Sequence, residues 1–493
     1  MTKPVIRESD IGKLDIAYSH KQSTLNFTDI SCNNNKTYSI ELIETKDNKF
    51  YLLSCYGRTG SRMTTEYRAC SDISDAEKEL EKIVKSKIKK GYSEIKLIKS
   101  AIGSELAQAK VESSVLSEAT AVKMGFKVQE EAKSSLHPAI QSVVKEWFGS
   151  IDQFIIDTLD TSKCALGQLS LEQINKGRDL LLEARNLVNA GSKDITSLNS
   201  ISSKYYSNIP MNFGFKRLNA DQLRFDDHVK LDAAFDVLDT LENAKDVEKI
   251  LIKKSDVDQK YQSLKTPMEW VDPSDLIFKW IDLLFHKTRA ANHNFYGKLK
   301  INNIFKLTRS KEFETYLSMA ESMAKKDQAR KELPSMLEPL WKSRIKEQKE
   351  YEKLYHDANI LPLFHGTRTQ NINKILSSRL ILPKPGFTFS GAMFSGGAGG
   401  IYSGFSTKAC GYSSLSGSAW AKGNSDKGYL FLNDVALGKQ KIAEHAHPYT
   451  LDKIKPCMSV WAKAGKAVIN DEFIVFTEEQ TWIRYVVEVV QAK

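Results

Sequence analysis

The 493-residue chain has no apolar run of about 18 residues, so no transmembrane helix is expected. Its opening "MTKPVIRESD" has no apolar core of the kind a leader peptide needs, so no secretory signal is expected either. Six cysteines (Cys32, Cys55, Cys70, Cys164, Cys410 and Cys457) lie far apart, with no CxxC pair. That usage fits free thiols in a reducing compartment and argues against structural zinc. There is no internal repeat and no low-complexity tract. No GxxxxGK[ST] loop occurs, which leaves the chain without a lysine-bearing phosphate cradle of that type. The glycine-rich "GAMFSGGAGGIYSGF" (391–405) also fails the GxGxxG spacing, because Tyr402 stands where the last glycine belongs.

What is present is an ordinary globular composition, with 41% hydrophobic and 27% charged residues. The length is enough for roughly two to four domains, each with its own core. A net charge of +10 is compatible with a polyanionic partner such as nucleic acid without requiring one.

The chain changes character along its length. "KTYSIELIET" and "KFYLLSCYGRTG" alternate apolar and polar positions about "KDN", which predicts a hairpin. "SDAEKELEKIVKSKIKKGY" then reads as an amphipathic helix with lysines at 82, 85, 87, 89 and 90. Residues 101–135 are small, polar and weakly periodic, as in a linker. "SLEQINKGRDLLLEARNLVNAG" opens with a capping box, Ser170 to Gln173, and stops at Gly191; Ile174, Leu181, Ala184 and Val188 share one face. "DDHVKLDAAFDVLDTLENAKDVEKILI" predicts a second long helix, so this segment reads as a helical bundle, structural or regulatory. Beyond it, "KLKINNIFKLTR", "ILPLFHGT", "GYLFLNDVALG", "EFIVFT" and "IRYVVEVVQA" are short strand-like runs that predict an α+β domain with a mostly antiparallel sheet.

Three features of that last third suggest chemistry. The glycine loop ending on Tyr402 reads either as a flexible surface loop or as a wall where backbone approaches a flat ligand, with the tyrosine as a stacking face. His365 and Gly366 end an apolar strand; a lone histidine is usually structural, but strand ends beside glycine often form sites. Glu472 enters the apolar "EFIVF", where a carboxylate is costly unless it faces a cleft or a partner.

Taken together, "FHGTRTQNINKIL", "GAMFSGGAGGIYSGFSTKACGY", "GYLFLNDVALG" and "DEFIVF" resemble the catalytic domain of poly(ADP-ribose) polymerases, and "YQSLKT" and "HNFYGKLKINNIFKL" resemble its start. The helical segment resembles the family's regulatory domain, and "YSIELIETKDNKFYLLSCYGRTG" resembles a WGR domain with Tyr56 in the tryptophan position. The resemblance implies an α+β multidomain chain: a WGR-like DNA-binding sheet domain at 20–105, a linker at 106–135, an all-α regulatory domain at 136–252, and a mixed ADP-ribosyltransferase domain at 255–493. With no zinc fingers before the WGR-like domain, the chain looks like the short, DNA-dependent members.

The activity so implied is transfer of ADP-ribose from NAD+, as substrate, to acceptor proteins including the enzyme itself, activated by DNA strand breaks and serving DNA repair. The alternatives are a mono-ADP-ribosyltransferase and a DNA-end-binding scaffold with an inert transferase domain. By the same resemblance, His365, Tyr402 and Glu472 form the catalytic triad. NAD+ contacts fall to His365, Gly366, Thr367, Tyr402, Ala409 and Tyr412, with the nicotinamide ring between the two tyrosines. An acceptor site falls on His293 and Met393, a regulatory contact on Asp239 and Asn243, and DNA contacts on Tyr56 and Arg58. No metal and no membrane are implied; the setting is nuclear in a eukaryote and otherwise cytoplasmic. Departures from the family pattern are Ala409 in place of a serine, Ile381 in place of an arginine, a longer glycine loop, a helical insertion over 311–350, and a shorter stretch from Gly438 to Asn470.

Overall fold

A computed structural model describes residues 4–7, 14–59, 63–95, 134–158, 169–211, 213, 219–251, 257–293, 299–326, 334, 337, 340, 352–382, 392–395, 399–418, 421, 423–466 and 468–491; for 152–158, 243–251 and 392 it describes the backbone only. The expected linker at 106–135, and much of the 311–350 insertion, lie outside these residues. By internal contacts the chain divides into two units. One is Met1–Glu131 with Asp152–Lys254, and the other is Ala132–Ile151 with Ser255–Lys493.

The first unit holds a six-stranded antiparallel sheet. Its strands are β1 (Ile6–Arg7), β2 (Ile16–Asp29), β3 (Asn34–Thr45), β4 (Phe50–Arg58), β5 (Thr64–Cys70) and β6 (Ser93–Ile95), in the order β1-β5-β4-β3-β2-β6. The β3–β4 turn closes on Asn48, at φ +58°, a conformation asparagine tolerates better than most residues. Helix α1 (Ile73–Lys89) is capped by Asp72, whose side chain accepts the Asp75 N–H. It lays Ala76, Leu80 and Val84 on Leu25, Ile40, Leu42 and Leu52 of the sheet. Its lysines are mostly on the opposite, solvated face.

The same unit contains α2 (Pro138–Thr158) from Asp152 onward, α3 (Leu171–Asn189), α4 (Ile195–Asn208) and α5 (His228–Leu251). The Ser170 side chain accepts the Gln173 N–H and the helix ends before Gly191 at φ +67°, as the N-cap and the glycine predict, but the Gln173 side chain turns to Asn208 instead of closing the expected capping box. A buried amide pair ties α3 to α4: the Gln173 amide donates to the Asn208 carbonyl at 3.0 Å, and the Asn208 amide donates to the Gln173 carbonyl at 3.0 Å. Sheet and bundle are joined through β2. The Asn26 amide donates to the Tyr206 carbonyl at 2.9 Å, and the Thr28 N–H donates to Ser207 Oγ at 2.8 Å. All these groups are buried, so an unmade bond would cost about 1–3 kcal/mol.

The second unit is built on a nine-stranded sheet. It comprises β7 (Met268–Trp270), β8 (Leu299–Leu307), β9 (Ile360–Thr367), β10 (Ile401–Gly404), β11 (Lys427–Ala436), β12 (Gln440–Ala443), β13 (Ser459–Ala462), β14 (Glu472–Val475) and β15 (Thr481–Gln491). The order is β12-β13-β14-β10-β9-β11-β15-β8-β7, antiparallel except where β12 meets β13. Helices α6 (Leu276–Lys287), α7 (Ser310–Ala324) and α8 (Ser406–Cys410) pack on it. The first half of α2 belongs here. Trp147 is fully buried, edge-on to Phe305 and Tyr429, and Glu146 and Glu488 share Lys427 at 3.0 and 3.4 Å. Fully burying a side chain of this size stabilises by about 3 kcal/mol, so this half of α2 is core rather than appendage.

Candidate active site

The sheet order puts β9, β10 and β14 side by side, and with them the strand-borne residues singled out in the sequence. Gly404 of β10 faces Phe364 of β9 on one side and Glu472 of β14 on the other. His365 and Gly366 therefore end one strand, Tyr402 rides the next, and Glu472 begins the third.

His365 is the best defined. Its Nδ1 lies 2.7 Å from the carbonyl oxygen of Tyr402. A carbonyl only accepts, so Nδ1 carries the hydrogen and Nε2 is left with its lone pair. Burial, the main cause, holds the imidazole below its ordinary 6.5 despite that bond, so the ring is neutral. The residue offers one acceptor nitrogen, suited to a hydroxyl donor.

Gly366 is required by sterics. A Cβ there would stand 1.8 Å from the carbonyl oxygen of Ala409 and 3.3 Å from Tyr412 Cβ. The backbone of β9 thus approaches α8 where no side chain fits, leaving main-chain groups to line the space. Ala409 is buried, Tyr412 half-buried, and Thr367 is buried opposite Tyr429. Cys410, beside Ala409, is fully enclosed and its thiol is pushed up to about 12 by burial, so it stays a protonated core residue.

Tyr402 uses its hydroxyl within the protein. Tyr402 Oη accepts the Phe394 N–H at 3.0 Å and lies 3.1 Å from Ser395 Oγ. Burial pushes its phenol up to about 12, so it too is neutral. Phe394 is buried in a cluster with Ile454, Val460, Ile474 and Phe476, so the start of the glycine loop is nailed down beneath the tyrosine. Positions 396–398 of that loop lie outside the described residues.

Glu472 is 9% exposed and its Oε1 lies 2.5 Å from Lys408 Nζ. Lys408 is also 5.8 Å from the centroid of the Tyr412 ring. The carboxylate is charge-paired rather than stranded, which answers how an acidic side chain is tolerated in "EFIVF". Lys408 was not singled out in the sequence. Its signal was a lysine inside "STKACGY", between residues too small to cover it.

His293 borders the same pair. Its ring nitrogens lie 3.0 Å from Thr407 Oγ1 and 3.1 Å from the Asn470 amide. Burial, then the positive charges of Lys408 and Arg289, hold its proton off. Met393, 53% exposed, precedes the anchored Phe394, and Ile381 is exposed.

In the other unit, Asp239 lies 2.5 Å from Arg178, which also holds Glu242 at 2.7 Å. The side chain of Asn243 lies outside the described residues. The Tyr56 hydroxyl donates to Glu66 at 2.6 Å, and its ring stacks on Tyr38. Arg58 donates to the Asn33 carbonyl and side-chain oxygen at 3.0 and 3.1 Å. Lys87, one of the five lysines noted on this helix, sits 3.8 Å over the Tyr38 ring, its pKa lowered chiefly by burial. Among the described residues no group of three or more His, Cys, Asp or Glu could hold a metal ion, and no helix is long and apolar enough to cross a membrane.

Three family profiles match the chain in succession: "WGR domain" over residues 21–98, "Poly(ADP-ribose) polymerase, regulatory domain" over 134–268, and "Poly(ADP-ribose) polymerase catalytic domain" over 277–470. Among curated proteins, a poly [ADP-ribose] polymerase of Sarcophaga peregrina is 25% identical over 458 residues, 87% of this chain and 40% of that protein. Poly [ADP-ribose] polymerase 1 of Danio rerio is 28% identical over 338 residues, 66% of this chain and 28% of that protein. Protein mono-ADP-ribosyltransferase PARP3 of Homo sapiens is 25% identical over 437 residues, 86% of this chain and 73% of that protein. The chain thus spans less than half the length of the first two relatives.

Proposed function

Because the chain belongs to the poly(ADP-ribose) polymerase family, with its WGR, regulatory and catalytic domains, we propose that it transfers ADP-ribose from NAD+ to protein acceptors, itself included, when DNA strand breaks engage the WGR domain. The observation that carries the reading is the Glu472–Lys408 pair at the head of β14, next to the strand that bears Tyr402 and one strand further from Gly366.

The space along Gly366, closed by the Ala409 carbonyl and Tyr412, suits a flat carboxamide: main-chain N–H and C=O can pair with an amide, and aromatic faces suit a planar heterocycle. Ala409 supplies no hydroxyl there, so the backbone and the rings carry nicotinamide recognition. His365 Nε2 accepts from a ribose hydroxyl. Cleaving the nicotinamide glycosidic bond builds positive charge on the ribose, as in glycoside hydrolysis. Glu472 stabilises that charge and orients the incoming nucleophile, while the Lys408 ion pair fixes where the carboxylate lies. One such interaction typically lowers the barrier by about 3–4 kcal/mol.

Polymer synthesis is the reading adopted, in the nucleus if the source is eukaryotic. A mono-ADP-ribosyl product is the second reading, favoured by the match that extends over 73% of a mono-ADP-ribosyltransferase. Labelled NAD+ incubated with the full chain, with and without nicked DNA, tests both. Label in a ladder that appears with DNA supports polymer synthesis, and a single sharp band supports mono-transfer. No nicotinamide release under either condition overturns the transferase reading.

A further inference from the structure

We propose that Ser395 is a positioning residue for Tyr402: by taking the phenol hydrogen it fixes the plane of the ring on which the nicotinamide stacks. This deepens the transferase reading and rests on it. Ser395 opens "SGGAGG", in the glycine loop whose length departs from the family pattern. It is fully buried, and its Oγ lies 3.1 Å from Tyr402 Oη. The loop closes back on it, since a Cβ at Gly400 would stand 3.1 Å from Ser395 Cβ and 2.6 Å from Ile474 Cγ2. Main chain at Gly400 therefore backs the serine.

The hydrogens follow from what each group can do. A backbone N–H only donates, so Tyr402 Oη accepts from Phe394 at 3.0 Å. The phenol is neutral and keeps its own hydrogen, and Ser395 Oγ is the acceptor placed to receive it. Were the serine the donor, the phenol oxygen would accept twice and its hydrogen would have no acceptor among the described residues, an arrangement that buried groups avoid. A phenol O–H lies in the plane of its ring, because the oxygen lone pair is conjugated with it. The torsion that turns a tyrosine ring is otherwise soft. A donor direction fixed at Ser395 therefore fixes the ring plane.

Tyr402 is held at its other end as well. Its carbonyl receives the His365 Nδ1–H at 2.7 Å, and its ring packs against the cluster of Phe394, Ile454 and Ile474. Backbone position, ring tilt and ring plane are set by three separate contacts, and Ser395 supplies the last. A stacking wall depends on that last one, because aromatic attraction favours particular interplanar arrangements and a turning ring leaves them. The serine acts through the tyrosine alone, so its effect falls on the nicotinamide end of NAD+ and spares the adenosine end. Stacking holds substrate and transition state alike, so the effect belongs in KM and not in kcat.

The test compares Ser395→Ala, Tyr402→Phe and the double variant in the full chain with nicked DNA. It reads the inhibition constant of free nicotinamide, kcat and KM for NAD+, and the affinity for ADP-ribose, which lacks the pyridine ring. Ser395→Ala is expected to raise the nicotinamide constant and KM about three- to ten-fold, with kcat and ADP-ribose affinity within about two-fold of normal. Retained kcat also reports that the variant has folded. In the Tyr402→Phe background Ser395→Ala is expected to add nothing, because no phenol hydrogen remains to receive. An unchanged nicotinamide constant, a loss shared by kcat or by ADP-ribose affinity, or a full effect in the Tyr402→Phe background overturns the proposal. If the unaltered chain releases no nicotinamide from NAD+, the transferase reading fails and this proposal with it.

Discussion

Replacing Gly366 with alanine puts one methyl group where the structure has no room. Its Cβ would lie 1.8 Å from the Ala409 carbonyl oxygen, against roughly 3.3 Å for an unstrained carbon–oxygen contact. Backbone must therefore separate by about 1.5 Å, because the obstacle is main chain at the end of α8 and not the tip of a flexible side chain. That displacement carries Lys408 and Tyr412 with it, one on each side of Ala409. A misplacement of about 1 Å in a catalytic constellation costs roughly 100-fold, so kcat/KM for NAD+ is expected to fall by at least that factor, about 2.7 kcal/mol. Stability is expected to fall by about 1–3 kcal/mol from overpacking. Gly149→Ala is the matched control: it lies in α2 with nothing within 4 Å of the added methyl, and helix propensity favours alanine there by about 0.5–1 kcal/mol. Nicotinamide release and urea unfolding on both variants check the pair. A folded Gly366→Ala protein with near-normal turnover would refute the close approach and the pocket argued from it.

Lys408→Met leaves Glu472 without its charge partner, and kcat is expected to fall on the order of ten- to a hundred-fold with the fold retained, as measured by nicotinamide release and circular dichroism. His365 and His293 both have folded pKa values below the ordinary 6.5, so between the folded value and 6.5 the unfolded chain binds more protons. Their contribution to stability is therefore full above 6.5 and is lost as pH falls through that window. Melting followed from about pH 7 to about pH 5 is expected to show a shallower decline in His293→Gln, and an unchanged decline would discount that histidine. Arg58→Ala is expected to weaken binding to nicked DNA and to make the slope of log affinity against log salt shallower by about 0.9, one phosphate contact; an unchanged slope would remove Arg58 from the interface.

Much of this arrangement was written in local pattern. Alternation placed β3 and β4, short apolar runs placed β9 and β11, and Ser170 with Gly191 bounded α3, because those signals act over a few residues. Glu472 stood out as a carboxylate in an apolar strand, His365 as the end of one beside a glycine, and Tyr402 as the aromatic at the end of a glycine-rich loop. Lys408 and Asn470 did not, since each looks solvated until the fold brings its partner: Glu472, about 60 residues on, for the lysine, and His293, 177 residues back, for the asparagine. The division within α2 was also hidden. One amphipathic helix serves two units, and only the packing of Trp147 against Phe305 and Tyr429 shows that its first half belongs with the catalytic sheet. Lys87 makes the same point in reverse: a lysine on a charged helix face turned out to lie over an aromatic ring.

The central claim is that Glu472 carries the chemistry on NAD+. Glu472→Gln keeps the shape of the side chain and removes only its charge. With NAD+ binding measured in parallel by calorimetry, nicotinamide release in the presence of nicked DNA is expected to fall by about two to three orders of magnitude while NAD+ affinity stays within a few-fold. Release at the normal rate from a variant that binds NAD+ normally would contradict the account.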